Sequence, residues 1–164
     1  MRFLLPLALA LSACTTVAVP EPAHAAAEDH RPYEASADAA ADIAAATARA
    51  QARGARVLLV FGANWCHDSR GLAEHFDRPE LATLMDRFEV VYVDVAERDR
   101  NQDLAARYGL VDAEAGEQIG TPNLVALGAD GERLNSVEDA RSWRRAHSRP
   151  VSEVRDWLER YAPS

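Results

Sequence analysis

The stretch VLLVFGANWCHDS, residues 57 to 69, contains the strongest structural signal in the chain. Its first five residues, Val57 to Phe61, form a continuous apolar run of strand length, which is typical of a strand buried at the centre of a sheet. Apolar residues then recur with helical spacing from Leu72 onward, so a helix is expected to begin close to Cys66. The sequence therefore predicts a cysteine at the junction between a central strand and a helix.

The segment Cys66 to Ser69 has the spacing of a C-x-x-C redox motif in which oxygen replaces the second sulfur. A second cysteine would resolve the mixed disulfide formed by the first, and Ser69 cannot do this. The Ser69 hydroxyl can still donate a hydrogen bond to the Cys66 sulfur, because residues three apart share one face of a helix. A helix N-terminus also favours the Cys66 thiolate. The alternative is that Cys66 is a buried, unreactive side chain.

The first 13 residues have the pattern of a signal peptide, with one basic residue before an apolar run too short to cross a bilayer. Leu11 to Cys14 resembles a bacterial lipobox, which implies cleavage before Cys14 and lipid attached to this residue. Thr15 then implies delivery to the outer membrane. The alternative is an A-x-A cleavage site at Ala23 to Ala25, which would release a soluble periplasmic protein. Both alternatives leave one free thiol in the mature chain.

Composition indicates one modest domain, because 48% of the 164 residues are hydrophobic and the part after the signal has an ordinary domain size. Residues 14 to 34 combine proline, alanine and acidic residues without periodicity, so they are expected to form a lipid-anchored flexible tether. Residues 35 to 164 are expected to form the domain. The net charge of −8 argues against nucleic acid as a partner and leaves the lipid as the expected membrane contact.

The expected order of elements is helix, strand, helix, strand, helix, strand, strand, helix, with the cysteine after the first strand. This order resembles the thioredoxin fold, and three local matches support the resemblance. They are Phe61, Ala63, Trp65 and Cys66 before the helix, Tyr108-Gly109-Leu110 with Gly120-Thr121-Pro122, and the strand and hairpin NLVALGADGE from residue 123. The resemblance implies a single α/β domain with a central mixed sheet of about four strands flanked by helices.

The resemblance also implies roles for individual residues. Cys66 would be the nucleophile, and Trp65 would form a wall of the site. Pro122 would follow a cis peptide bond and face the cysteine, so that Thr121 and Pro122 form the edge on which an extended substrate docks. His67 is a further candidate substrate contact, with an ordinary solvated residue as the alternative.

The chain departs from the family pattern at Ser69 and at Val60, where many thioredoxins have a buried aspartate. The two losses are consistent, since that aspartate is thought to assist proton transfer from the missing second cysteine. No cofactor is expected. A metal site built from Cys66, His67, Asp68 and His75 is not expected either, because adjacent side chains at a helix start diverge.

Two classes of function follow. The first is monothiol thiol–disulfide exchange in the cell envelope, in which Cys66 and Ser69 act on protein or glutathione disulfides and an external thiol completes the reaction. The second is a non-catalytic binding module that recognises an extended polypeptide at the Thr121–Pro122 edge. A peroxidase is a weaker third class, because no Pro-x-x-x-Thr-x-x-Cys pattern surrounds Cys66.

Overall fold

A computed structural model describes residues 30–35, 38–112 and 114–164 of the chain. The expected signal peptide, the lipidation residue Cys14 and residues 15–29 of the expected tether lie outside the described residues. None of the helices in the described ranges is long and apolar enough to cross a membrane.

The described residues form one mixed sheet of three strands between two layers of helices. The strands are β1 (Arg56–Gly62), β2 (Phe88–Asp94) and β3 (Asn123–Leu127), in the order β2-β1-β3. Strand β1 is central, parallel to β2 and antiparallel to β3. The helices are α1 (Ala39–Arg53), α2 (His67–Phe76), α3 (Ala82–Met85), α4 (Gln102–Arg107), α5 (Val137–Arg141) and α6 (Val151–Tyr161). The expected single α/β domain is therefore confirmed.

The expectation of about four strands is wrong for the described residues, because the chain after the hairpin turn makes only an isolated bridge between Leu127 and Arg133. A side chain takes over the pairing beyond that point. The buried Asn135 amide accepts a hydrogen bond from Ala126 N–H at 3.0 Å and donates to the Leu124 carbonyl at 2.9 Å. These two bonds satisfy the outer edge of β3 where a fourth strand would have paired.

The continuous apolar run of β1 is explained by helices on both faces of the sheet. Val57, Leu59 and Phe61 pack into the core beneath α1 and α4. Leu58 and Val60 point the opposite way, into the core that contains the buried residues of α2 and α6. Because successive side chains of a strand alternate between faces, a central strand covered on both sides needs an apolar residue at every position.

Tyr33, near the end of the expected tether, packs into the core of the domain. Tyr33 is only 3% exposed and belongs to the core beneath α2. Its ring packs edge-to-face on Tyr92, with 5.4 Å between the ring centroids. The Asn64 side chain also forms hydrogen bonds with the backbone of Tyr33. The proline and acidic residues around Tyr33 are typical of a linker, but the buried Tyr33 side chain attaches this segment to the domain.

Candidate functional site

Cys66 lies where the central strand gives way to a helix, as the sequence predicts. Its N–H donates to the Ala63 carbonyl at 3.1 Å, which closes a turn after β1. Cys66 then occupies the N-cap position of α2, with an extended backbone at φ −83° and ψ 114°. The free thiol is half-buried. Cys66 is thus a partly exposed residue at a helix start, where the first N–H groups have no partner within the helix.

The loop before β3 faces this sulfur. The Thr121–Pro122 peptide bond is cis, as the resemblance implies. The Cys66 Sγ lies 3.9 Å from the Thr121 carbonyl oxygen, which is within range of a weak S–H hydrogen bond. Pro122 is buried and Thr121 is half-buried. The fold therefore brings the expected docking edge beside the expected nucleophile, although 55 residues separate them in the chain.

Ser69 lies on the inner side of the site. It is in the first turn of α2, three residues after Cys66, and its side chain is completely buried. Its hydroxyl makes no hydrogen bond within the described chain, so the expected bond to the Cys66 sulfur is not formed while the thiol points at Thr121. Ser69 is thus on the inner side of Cys66 and out of contact with solvent.

Trp65 forms an exposed wall next to the cysteine. The side chain is 45% exposed, which is unusual for a large aromatic residue in this structure. Its indole Nε1–H donates to the Ala96 carbonyl at 2.8 Å, and the Arg98 guanidinium lies 5.2 Å from the ring centroid. A surface pocket of about 250 Å³ is lined by Trp65, Glu97, Arg98 and Gln118. A polar and aromatic surface therefore adjoins the thiol.

His67 does not line this pocket, and its ring lies against the turn before α6. Its ring contacts that of His147, with 3.8 Å between the centroids. The Asp68 carboxylate accepts a hydrogen bond from the His147 N–H at 3.1 Å. Both imidazoles are exposed. The residues that follow Cys66 thus attach the start of α2 to a distant turn, a contact that the sequence does not predict.

His75 belongs to the interior and not to the site. Its Nε2 lies 3.2 Å from the Ala146 carbonyl, beneath α2. Burial and the nearby Arg78 lower the pKa of His75 below its ordinary value. In the described ranges, no group of three or more His, Cys, Asp or Glu side chains is arranged to bind a metal ion.

Two residues of the site were not found from the sequence. Asn64 binds the backbone of Tyr33 at both ends, accepting from its N–H at 3.2 Å and donating to its carbonyl at 2.7 Å. Tyr33 itself extends beneath the start of α2. Asn64 and Tyr33 are 31 positions apart in the sequence, so local periodicity gives no indication that they are in contact. The position of Asn64 two residues before Cys66 was the only available hint.

The sequence matches the Thioredoxin-like family over residues 38–129, which is more than half of the chain. The protein therefore belongs to the Thioredoxin-like family. The matched region includes the cysteine, the loop with the cis peptide bond and all three strands. No curated protein matches the sequence.

Solved structures give the same fold. The disulphide isomerase from Xylella fastidiosa Temecula1 is 30% identical, with a TM-score of 0.68 over 79% of this chain and 95% of that one. The oxidised C-terminal domain of DsbD from Neisseria meningitidis is 25% identical, with a TM-score of 0.55 over 76% and 97%. Its reduced form, 24% identical with the same TM-score and coverage, supports the fold alone. The likeness to a disulphide isomerase is consistent with thiol–disulfide exchange.

Proposed function

We propose that the protein performs monothiol thiol–disulfide exchange in the cell envelope, with Cys66 as the nucleophile. The observation that carries this proposal is the position of the Cys66 sulfur. It is a half-buried free thiol at the N-cap of α2, 3.9 Å from the Thr121 carbonyl. The likeness to a disulphide isomerase supports the same chemistry. A cysteine that served only for packing would not need partial exposure or a position at a helix start.

The reaction needs no net oxidant. The Cys66 thiolate attacks one sulfur of a substrate disulfide, forms a mixed disulfide with it, and releases the other sulfur as a thiolate. An external thiolate then attacks the substrate sulfur of the mixed disulfide. This step releases Cys66 as a thiolate and leaves the substrate in a new disulfide with the external thiol. One disulfide is consumed and one is produced, so no electrons are gained or lost overall. Ser69 keeps the enzyme dependent on that external thiol.

Protein disulfides and glutathione mixed disulfides are the proposed substrates. In this proposal an extended chain lies along Thr121 and Pro122, because the thiol is adjacent to that edge. The exposed indole of Trp65 supplies an apolar wall beside the reacting sulfurs. His67 contacts the part of the substrate that lies over the start of α2, where its ring is exposed.

A single-thiol form of the protein tests the proposal directly. The chain has two cysteines, so Cys14→Ser leaves Cys66 as the one thiol. We expect oxidised glutathione to give one covalent adduct per molecule, and added reduced thiol to remove it, as followed by non-reducing mass spectrometry. Cys66→Ala in the same background is the matched control and should give no adduct. Absence of an adduct on the parent form, or an adduct that thiols fail to release, would contradict exchange.

The cellular location is part of the proposal and depends on residues outside the described ranges. Cleavage before Cys14 would leave a lipid-bearing residue that anchors the domain on the periplasmic side of the outer membrane. Cells that express the full chain with labelled fatty acid should incorporate the label, and Cys14→Ser should abolish incorporation. An unlabelled product whose N-terminus begins after Ala25 would instead establish the soluble periplasmic form.

A binding module that recognises extended polypeptides is the second candidate, favoured by the large exposed indole of Trp65. The two functions differ in their dependence on sulfur. If the protein only binds, peptides captured from a random extended library should bind Cys66→Ala as tightly as the parent. If it exchanges, capture should require a cysteine in the peptide and be lost in Cys66→Ala.

A further inference from the structure

Two buried hydroxyl groups meet behind Cys66. Tyr33 is 3% exposed and Ser69 is fully buried, and neither hydroxyl has a well-formed hydrogen bond within the described chain. Both oxygens crowd the Cα of Gly62, where an added Cβ would collide with each of them. A buried hydroxyl without a hydrogen-bond partner destabilises the folded state, so packing alone does not explain why two of them lie here. A phenylalanine would fill the space of Tyr33 without adding a buried polar group.

The site loop itself holds Tyr33 in this place. The Asn64 side chain binds both the N–H and the carbonyl of Tyr33, at 3.2 and 2.7 Å. The Tyr92 ring packs against the Tyr33 ring from the side. Gly62, which lacks a side chain, leaves room for the hydroxyl. Because Asn64 and Gly62 belong to the same stretch as Cys66, the hydroxyl has a fixed position relative to the nucleophile.

The protonation state of this tyrosine suits a hydrogen-bond donor. Burial and the neighbouring Tyr92 raise the pKa of Tyr33 well above its ordinary value, and the adjacent Ser69 hydroxyl opposes this only in part. Negative charge on Cys66 raises the same pKa, which reflects how near the two groups are. The Tyr33 hydroxyl therefore keeps its proton when the thiol ionises.

The Tyr33 and Ser69 hydroxyls gain a better hydrogen-bond acceptor when Cys66 is a thiolate than when it is a thiol. As a thiol, Cys66 directs its proton to the Thr121 carbonyl and leaves the hydroxyls without a terminal acceptor. A thiolate has no proton to donate, so it accepts hydrogen bonds instead. Ser69 lies three residues after Cys66 at the helix start, so a rotation of the Cys66 side chain about χ1 would carry its sulfur towards Ser69.

We propose that Tyr33 is a positioning residue for the nucleophile, whose hydroxyl donates to Ser69 so that Ser69 donates to the Cys66 thiolate. This hydroxyl relay deepens the proposed exchange function, on which its biological meaning rests. It assigns a role to Ser69 other than the loss of a resolving sulfur. It also makes the segment before α1 part of the site.

Other charged and titratable groups lie against the residues next to Cys66 and against Tyr33, and they must stay constant in a test. They come from α2, the turn before α6, the loop after β2 and the end of β2, namely His67, Asp68, His147, Arg98 and Asp94. Arg144 also lies against Gly120, next to the docking edge. A Tyr33→Phe substitution leaves all of these groups in place. A change in the pH response of Cys66 would therefore report the hydroxyl alone.

The experiment measures the rate of Cys66 alkylation by iodoacetamide across pH, in the Cys14→Ser background. We expect Tyr33→Phe and Ser69→Ala each to raise the midpoint of the rate profile by about one pH unit. The double variant should equal Ser69→Ala, because Tyr33 acts through Ser69. Tyr108→Phe is the matched control, since this buried tyrosine packs on Phe61 in the core on the other face of the sheet and should leave the midpoint unchanged.

An unshifted midpoint in Tyr33→Phe, with the protein folded by circular dichroism, would overturn the relay. Shifts that add in the double variant would do the same, because they require independent action. If Tyr33→Phe failed to fold, an unshifted midpoint of the rate profile in Ser69→Ala would overturn the relay instead. Alkylation of Cys66 involves no disulfide, so the hydroxyl relay and the exchange function can be contradicted independently of each other. A shifted midpoint without glutathione exchange would overturn the exchange function and leave the relay standing.

Discussion

At the scale of single residues, the position of Ser69 decides how far this site differs from a dithiol site. Cys66 is the N-cap of α2 and Ser69 is in its first turn, with its side chain directed inward. This is the arrangement in which a second sulfur would be protected from solvent yet close to the first. An oxygen at position 69 cannot resolve a mixed disulfide as a second sulfur would, although serine and cysteine are similar in size.

Ser69→Cys should restore a dithiol. We expect Cys66 and the new cysteine to form an intramolecular disulfide on mild oxidation, provided that their side chains reach ordinary disulfide geometry. Intact-mass spectrometry under non-reducing conditions should then show the loss of two hydrogens. The same substitution in a Cys66→Ala background should show no such loss. A variant that keeps both hydrogens after oxidation would contradict the placement of the two side chains.

His75 should make the stability of the fold sensitive to acid. Burial and Arg78 lower its pKa in the folded state, so the unfolded chain takes up a proton more readily. The stability contributed by neutral His75 is complete above the ordinary pKa of 6.5 and is lost as the pH falls below it. We expect urea unfolding to show a larger loss of stability between about pH 8 and about pH 5.5 in the parent than in His75→Gln.

The matched control is the exposed His67, because His67→Gln should keep the acid response of the parent. An identical response in the parent and His75→Gln would show that the histidine ring titrates equally in the folded and unfolded states. The Nε2 contact with the Ala146 carbonyl is compatible with a glutamine amide, so the variant keeps a donor in place.

At the scale of elements, the outer edge of β3 is completed by a side chain. Asn135 bonds to Ala126 N–H and to the Leu124 carbonyl, and it also donates to Asp139 at 2.8 Å. The same Asp139 carboxylate accepts the Trp157 indole N–H at 2.8 Å. One amide thus joins the sheet edge to α5 and, through a shared carboxylate, to α6.

Asn135→Ala should destabilise the protein by about 2 kcal/mol, because it leaves a buried N–H and a buried carbonyl of β3 without partners. Urea unfolding followed by circular dichroism measures this loss. Gln51→Ala is the control, since it removes an exposed amide that donates to the Ala129 carbonyl at 2.7 Å, and a change of about 0.5 kcal/mol or less is expected. Equal losses in the two variants would mean that the edge is satisfied in another way.

At the scale of the whole molecule, the chain before α1 is a structural part of the domain. The Tyr33 ring fills space in the core, and its backbone is tied to the loop that carries Cys66. His30 adds a contact to Asp77 at 3.4 Å, at the far end of α2. The described residues before α1 thus contact both ends of α2, with Tyr33 near its start and His30 near its end.

Tyr33→Ala should lower the free energy of unfolding by about 3 kcal/mol, because a buried aromatic ring is replaced by a cavity. Tyr33→Phe keeps the ring and should cost little, since the hydroxyl that it removes has no well-formed partner. Chemical unfolding of both variants checks the prediction. A small cost for Tyr33→Ala would show that the segment before α1 is dispensable for stability.

Several features could be inferred from local pattern alone. The apolar run of β1, the helix after Cys66 and the G-T-P segment all carry short-range signals, since burial and backbone preference act on consecutive residues. These signals were sufficient for the fold class and for pairing the cysteine with the Thr121–Pro122 loop by family resemblance. They failed where a side chain replaced a strand, because Asn135 leaves no periodic trace.

The sequence by itself determined the central strand followed by the cysteine and a helix, the family and the missing second sulfur, because each depends on residue type and local spacing. Only the tertiary structure brought Tyr33 and Asn64 together and buried the hydroxyls of Tyr33 and Ser69 against Gly62. It also set His67 against His147. These contacts join segments far apart in the chain. Their geometry follows from how whole elements pack, and no local pattern encodes it.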